Sequence, residues 1–344
     1  MNSAHIYDTE GYFSNKVTFL NVILTVMVVV LHAKTPERFG LPLDWGNPLI
    51  YVITAFTRMA VPSFFFISGM LLFRGYTAQT LPRKLKSRFC TLVVPYLLWN
   101  TIYAIVFLLM TRIPLIFSRM NMGIAIQTPM EFVRAILFSR HSDLWFVGDQ
   151  ILFTIVSPLI LAISKWKYPS LILLVLSILY YFFALPSYKS PLHWAPMYIA
   201  GALYGCNMKE MAKNIELRAR YNLILTVLGI LFCASLLYSL FTEYLYLYEL
   251  VSPFALWVFA DFMFGNKISA FNKKQWMNYT FFIFCSHHFL ENILQKFCVM
   301  AFEPSPFVMN AVYFITPFIT IWILVFVCNI IKDTLFYKLL CGNR

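Results

Sequence analysis

Runs of about twenty mostly apolar residues recur along this chain, each long enough to cross a bilayer as an α-helix. They lie near 17–33, 48–73, 89–111, 144–164, 169–185, 193–206, 221–240, 246–264, 276–297 and 306–331. Inside hydrocarbon every backbone N–H and C=O needs a partner within the protein, which leaves only helices and closed barrels. These runs are far longer than barrel strands and do not alternate. The fold class they predict is all-α: a polytopic membrane bundle of about ten helices. Composition agrees, with 60% hydrophobic and 12% charged residues, about half the charged share of a soluble domain. Ten spans leave no room for a soluble module, so residues 1–344 read as one integral membrane domain. It has a polar tail over 1–16 and one long connection over 112–143. The segment at 193–206 is short and holds Gly201 and Gly205; tilting, close packing on neighbours and partial re-entry are all open to it.

Lys and Arg set the orientation of such a bundle. With the N-terminus inside, 18 of the 27 fall on the inner side, Lys16 and the 74–88 segment among them, and eight fall outside. The expectation is therefore a multi-pass protein of the inner (plasma) membrane with both termini cytoplasmic. The same bias accounts for most of the net charge of +12, so nucleic acid is not invoked as a partner; membrane lipids are. The first apolar run follows a polar tail and lacks a small-residue cleavage site, so it reads as a retained helix. The outer connection mixes Met120, Met122, Met130, Phe132, Ile136 and Phe138 with Arg119, Arg134 and Arg140. That pattern suits an amphipathic segment on the membrane face or over a cavity. Seven cysteines show no CxxC pair or His/Cys ligand spacing, which points away from zinc and disulfides.

Ionisable residues inside spans are costly, and by default they mark a functional interior. Here they are His32, Arg58, Asp149, Glu249, Asp261, His287, His288 and Glu291. His32 ends the run Val28–Leu31 with Asn21 eleven residues earlier, close to three helical turns, so the two share one face. That face either lines a cavity or merely ends in an interfacial histidine. Arg58 precedes Pro62 and the run Phe64–Ile67; it faces a wet cavity or pairs with Asp149 or Glu249, and Pro62 should kink the helix and release a carbonyl. Glu291 can meet His287 at i, i+4 or His288 at i, i+3. Consecutive histidines diverge by about 100° on a helix, which argues against a metal site.

The segment Arg58-Met59-Ala60-Val61-Pro62-Ser63-Phe64-Phe65-Phe66-Ile67-Ser68-Gly69 resembles the R-x-x-V-P-x-F-F-x-x-S-G signature of the integral membrane acyltransferase-3 family, whose members O-acetylate cell-surface sugars. Arg88-Phe89-Cys90, Pro95–Trp99, Leu144-Trp145-Phe146-Val147 and Thr280–His287 follow in the family's order, and the resemblance runs over nearly the whole chain. Where the family often places an arginine eleven residues before its histidine, this chain has Asn21, which donates hydrogen bonds but carries no charge.

The resemblance implies transfer of an acetyl group from cytoplasmic acetyl-CoA, the acyl-CoA donor, to a hydroxyl of a carbohydrate or lipid-linked glycan. In that scheme His32 is the general base or a transient acyl carrier. Arg58 and Asn21 stabilise the developing oxyanion, and His287 is a polar wall or proton partner. Arg83, Lys84, Lys86 and Arg88 hold the CoA phosphates, or else serve only the positive-inside bias. A glycan or lipid transporter and a catalytically silent family member are the competing readings of the same residues.

Overall fold

The computed structural model describes residues 10–35, 48–111, 126, 128–138, 144–213, 218–271, 273–302 and 305–342. Besides one π-helical and one 3-10 segment, and with no strand, the described residues hold fourteen α-helices. They are α1 Glu10–His32, α2 Pro48–Thr57, α3 Ala60–Phe73, α4 Leu81–Arg88, α5 Val94–Thr111, α6 Pro129–Phe138 and α7 Trp145–Ser164, followed by α8 Lys167–Ala184, α9 Pro191–Lys213, α10 Arg218–Thr242, α11 Tyr246–Ser269, α12 Thr280–Ala301, α13 Pro306–Ile331 and α14 Leu335–Leu340. Eight helical segments among the described residues are long and apolar enough to cross a membrane. The other two expected spans are helices as well. α9 and α12 have 23 and 22 residues, but polar and small side chains dilute their apolar character. They turn toward protein instead: Met197, Tyr198 and Ala202 of α9 and His287, Glu291 and Gln295 of α12 are all buried.

The chain forms two compact units, one of residues 1–76 and 161–327 and the other of 77–160 and 328–344. In the first, α1 presents Phe13, Val17, Leu20, Leu24 and Val28 at helical spacing to Phe66, Ile67 and Met70 of α3 and Trp257 and Ala260 of α11. α3 in turn lies against α9 with almost no side chain between them. A Cβ on Gly201 would collide with the Phe66 carbonyl, and one on Gly69 with the Tyr198 carbonyl; Gly205 faces Met70 in the same way. Of the three readings open to 193–206, this structure takes close packing, in the manner of small-residue contacts between membrane helices.

The expected kink at Pro62 is an interruption of the α-helical ladder within one apolar span, Pro48–Phe73. There the Arg58 and Met59 N–H groups bond instead to the carbonyls of Ala55 and Phe56 at 3.3 Å. Residues 58 and 59 leave the helix between α2 and α3, because Pro62 has no N–H for the Arg58 carbonyl and its ring crowds that position. Pro62 itself is the third residue of α3, where an N–H would go unused. Nearby, the buried Tyr248 hydroxyl donates to the Phe56 carbonyl at 2.8 Å.

In the second unit α4 runs through a π-helical turn, Phe89–Val93, into α5, so the basic residues expected in a loop are helical from Leu81 onward. Within the long connection, α6 opens on a reciprocal cap: the Thr128 N–H donates to Glu131 Oε2 at 3.0 Å and the Glu131 N–H to Thr128 Oγ1 at 3.2 Å. Phe132, Ala135 and Ile136 of α6 pack on Ala104, Phe107 and Leu108 of α5. The opposite side exposes Met130, Val133, Leu137 and Phe138, as an interfacial amphipathic helix would. Met120, Met122, Arg119 and Arg140 of the same connection, and the tail up to residue 9, lie outside the described residues.

The glycine contact has a measurable consequence. Gly201→Ala forces α3 and α9 apart and should lower stability by about 1–3 kcal/mol, the usual cost of overpacking. Gly229→Ala meets only Phe259 at an ordinary 3.5 Å and should be neutral or mildly stabilising, since alanine favours helix. Thermal unfolding of both variants in detergent checks the contrast.

Candidate functional site

α1 ends at His32, and α12 brings His287 beside it. Nδ1 of His287 lies 2.8 Å from the Phe284 carbonyl oxygen and 3.1 Å from that of Ile283. A carbonyl only accepts, so Nδ1 carries the proton and Nε2 the lone pair. That Nε2 faces Nδ1 of His32 at 3.4 Å, while Nδ1 of His32 also points at the Val28 carbonyl, 2.8 Å away. His32 is thereby held as the Nδ1–H tautomer, with Nε2 as its basic nitrogen. The two rings meet nearly edge to face, centroids 5.0 Å apart, and the His288 ring lies equally close to His32. The divergence of consecutive histidines lets them flank His32 from two directions. Among the described residues no group of three or more His, Cys, Asp or Glu could hold a metal ion.

A polar stripe continues along α12. His287, Glu291 and Gln295 recur every four residues and are all buried, as is the apolar Ile283 one turn before them. Gln295 accepts the Lys34 N–H at 3.1 Å and donates to Thr316 Oγ1 at 3.2 Å, tying the chain just past α1 to α13. Tyr313 of α13 shares a 3.0 Å hydrogen bond with Thr54 of α2, and Ala33, Ile50 and Tyr313 form a small apolar cluster beside it. The site is therefore framed by α1, α2, α12 and α13. Gln295 was open to sequence reasoning, since it extends the i, i+4 series of His287 and Glu291; Thr54, Tyr313 and Thr316 carried no such signal.

Asn21 sits three turns down α1, roughly 16 Å along the axis from His32, and its backbone carbonyl accepts the Thr25 hydroxyl at 2.7 Å. Arg58 is exposed at the break between α2 and α3. Its expected alternative partner Glu249 is engaged elsewhere: Oε2 meets His193 Nε2 at 2.8 Å and the Tyr181 hydroxyl at 2.8 Å. Nδ1 of His193 is 2.8 Å from the Pro186 carbonyl, so the ring is held at both nitrogens. His193 and Tyr181 escaped the sequence reading because their partners are 56 and 68 residues distant. Arg83, Lys84, Lys86 and Arg88 belong to the second unit, with Arg83 and Lys86 exposed on α4.

Lys16, one of the inner-side charges of the orientation count, is 2% exposed. Its ammonium lies 2.7 Å from Asp261 Oδ2 and 3.6 Å from the centre of the Trp257 ring. The Tyr12 hydroxyl donates to the other Asp261 oxygen at 2.6 Å. This is a desolvated ion pair joining α1 to α11, well removed along α1 from His32.

The fold and this site define a class: a polytopic helical membrane protein in which a half-buried histidine, His32, meets a buried one, His287, where two spanning-length helices come together. The family described as Acyltransferase domain matches residues 16–331, and the chain belongs to that family. Among curated proteins it is similar to the succinoglycan biosynthesis protein ExoH of Rhizobium meliloti (strain 1021), 26% identical over 347 residues that cover 94% of this chain and 90% of the relative. No solved structure matches.

The Lys16–Asp261 pair is open to test. Removing one partner of a buried pair strands the other charge, so Asp261→Asn should cost about 3 kcal/mol, near the low end for such pairs because Asp261 is partly open to solvent. Lys16→Met combined with Asp261→Leu should recover most of that loss. Denaturation midpoints of the single and double variants decide it.

Proposed function

We propose that this protein is an O-acyltransferase of the plasma membrane that moves an acetyl group from cytoplasmic acetyl-CoA to a hydroxyl of a surface carbohydrate or lipid-linked glycan. Membership of an acyltransferase family supports the reaction type. A polysaccharide acceptor is supported by a relative whose name places it in succinoglycan biosynthesis. The observation that carries the assignment of roles is the paired histidine geometry. Both Nδ1 protons point at backbone carbonyls, so Nε2 of His32 is the group able to take a proton.

In this reading a sugar hydroxyl gives its proton to His32 Nε2 as its oxygen attacks the thioester carbonyl. The carbon–sulfur bond then breaks, the proton passes to the departing thiolate, and an ester and a free thiol remain. Imidazole suits both transfers because its pKa lies near neutrality. As His32 becomes an imidazolium, the Val28 carbonyl and His287 Nε2 both accept from its Nδ1–H and stabilise the charge. His287 is the proton partner. Arg58, exposed at the helix break, supplies a planar cation to the developing oxyanion, with Asn21 a polar group lower on the α1 face. Arg83, Lys84, Lys86 and Arg88 provide the charge for CoA phosphates.

His32→Ala should reduce acetyl transfer by about 10²–10⁴-fold, while thermal stability and acetyl-CoA affinity stay at wild-type values. Purified protein in nanodiscs, given acetyl-CoA and a panel of deacylated surface glycans, measures all three. Transfer at the wild-type rate would remove His32 from the chemistry. Altered glycan flux with no acetylation would favour a transporter.

A further inference from the structure

Glu291 stands out against the polar groups around it. It lies one turn beyond His287 on α12 and is 1% exposed, yet neither carboxylate oxygen has a hydrogen-bond partner among the described residues. Its neighbours on the same stripe are engaged: His287 Nδ1–H by the Phe284 carbonyl, and Gln295 at both ends by Lys34 and Thr316. Across on α13, Tyr313 is bonded to Thr54. Buried polar groups are nearly always satisfied, and an exception needs a reason. Burying a carboxylate with nothing to meet it is among the most costly arrangements a fold can contain.

A carboxylate only accepts hydrogen bonds, through two oxygens with about four lone-pair sites. Whatever completes Glu291 must bring donors. An ionised Glu291 repels phosphate, and the thioester and acetyl group at the reacting end of the acyl donor have no hydrogen-bond donor to offer it. A sugar ring offers several hydroxyls. The Cβ atoms of residues at i and i+4 lie about 5–6 Å apart, a distance one sugar ring bridges. A ring held at Glu291 therefore reaches the histidine pair one turn away.

We propose that Glu291 is the acceptor-binding residue of this site, receiving hydroxyl groups of the sugar ring and so orienting a further hydroxyl toward His32. The inference rests on the acyl-transfer reading above. It assigns the α12 stripe to the acceptor, and it explains why an anionic group on this face does not serve the polyanionic donor. It also selects acceptors: neutral polyols are retained, whereas sugars phosphorylated on the bound edge are rejected.

The test uses full-length protein in nanodiscs with acetyl-CoA as donor. The acceptors are methyl β-D-glucopyranoside, methyl β-D-galactopyranoside and their monodeoxy forms. Glu291→Gln should lower kcat/KM for the parent glycosides by about 10–100-fold, the loss expected when a buried charged hydrogen-bond acceptor is replaced. Glu291→Asp, which keeps the charge, should recover part of it. Removing the hydroxyl that Glu291 receives should cost the wild type a similar factor but cost Glu291→Gln at most about 2-fold more, since the two changes delete one interaction. Acetyl-CoA affinity and the thermal midpoint should hold in both variants.

Equal kcat/KM in wild type and Glu291→Gln overturns the inference. So does additivity with every deoxy sugar, or a joint fall in thermal midpoint and donor affinity in both variants. Failure of the wild type to acetylate any of these glycosides also overturns the sugar assignment. His32→Ala run alongside separates the two claims. A wild-type rate there removes His32 from the chemistry, and with it the role assignment on which this inference rests, whereas an inactive His32→Ala with Glu291→Gln at wild-type rates removes this inference alone.

Discussion

The first unit depends on two helices approaching until backbone meets backbone. Gly69, Gly201 and Gly205 let α3 and α9 lie closer than any side chain would permit. In a membrane, where lipid tails are as apolar as leucine, packing of this kind substitutes for the hydrophobic effect. α3 is thereby fixed, and α1 rides on it through Leu20, Leu24 and Val28. His32 sits one turn beyond Val28 at the end of that same stripe, so its position follows from how α1 packs on α3. The Lys16–Asp261 pair anchors the far end of α1 to α11, which leaves that helix little freedom to slide along its axis.

The apolar interior makes each polar group informative, because an unmet one is expensive there. The groups of the first unit separate into two kinds. The Lys16–Asp261–Tyr12 cluster and the His193–Glu249–Tyr181 cluster are closed: their donors and acceptors answer one another, and such networks hold helices in register. The α12 stripe is different. His287 is oriented by backbone carbonyls and in turn orients His32, while Glu291 is left without a donor among the described residues. A closed network suits architecture, and an open one suits a site that receives something.

Much of this was legible in the chain because lipid imposes a simple rule. Lipid-facing helices must be apolar for about twenty residues, and eight segments say so directly. α9 and α12 are harder to read since their neighbours are protein, which tolerates His193, Gly201 and Glu291. The break at Arg58 follows from Pro62 alone, a local effect four residues long. Contacts distant in sequence did not announce themselves. Lys16 looked like a topogenic charge because Asp261 is 245 residues away, and nothing in spacing tells a paired lysine from a solvated one. His32 and His287 each stood out as polar groups in apolar runs, but their meeting, 255 residues apart, is a property of how α1 and α12 pack.

The central claim is that His32 and His287 act as one unit in acyl transfer, and a double-mutant cycle tests it most directly. Transfer rates would be measured for His32→Ala, His287→Ala and the double variant, each verified as folded and able to bind acetyl-CoA. Residues that share one proton path are strongly non-additive, so the double variant should be scarcely slower than His32→Ala alone. Losses that multiply, with the double variant slower by the product of the two single effects, would show the histidines acting independently and contradict this account.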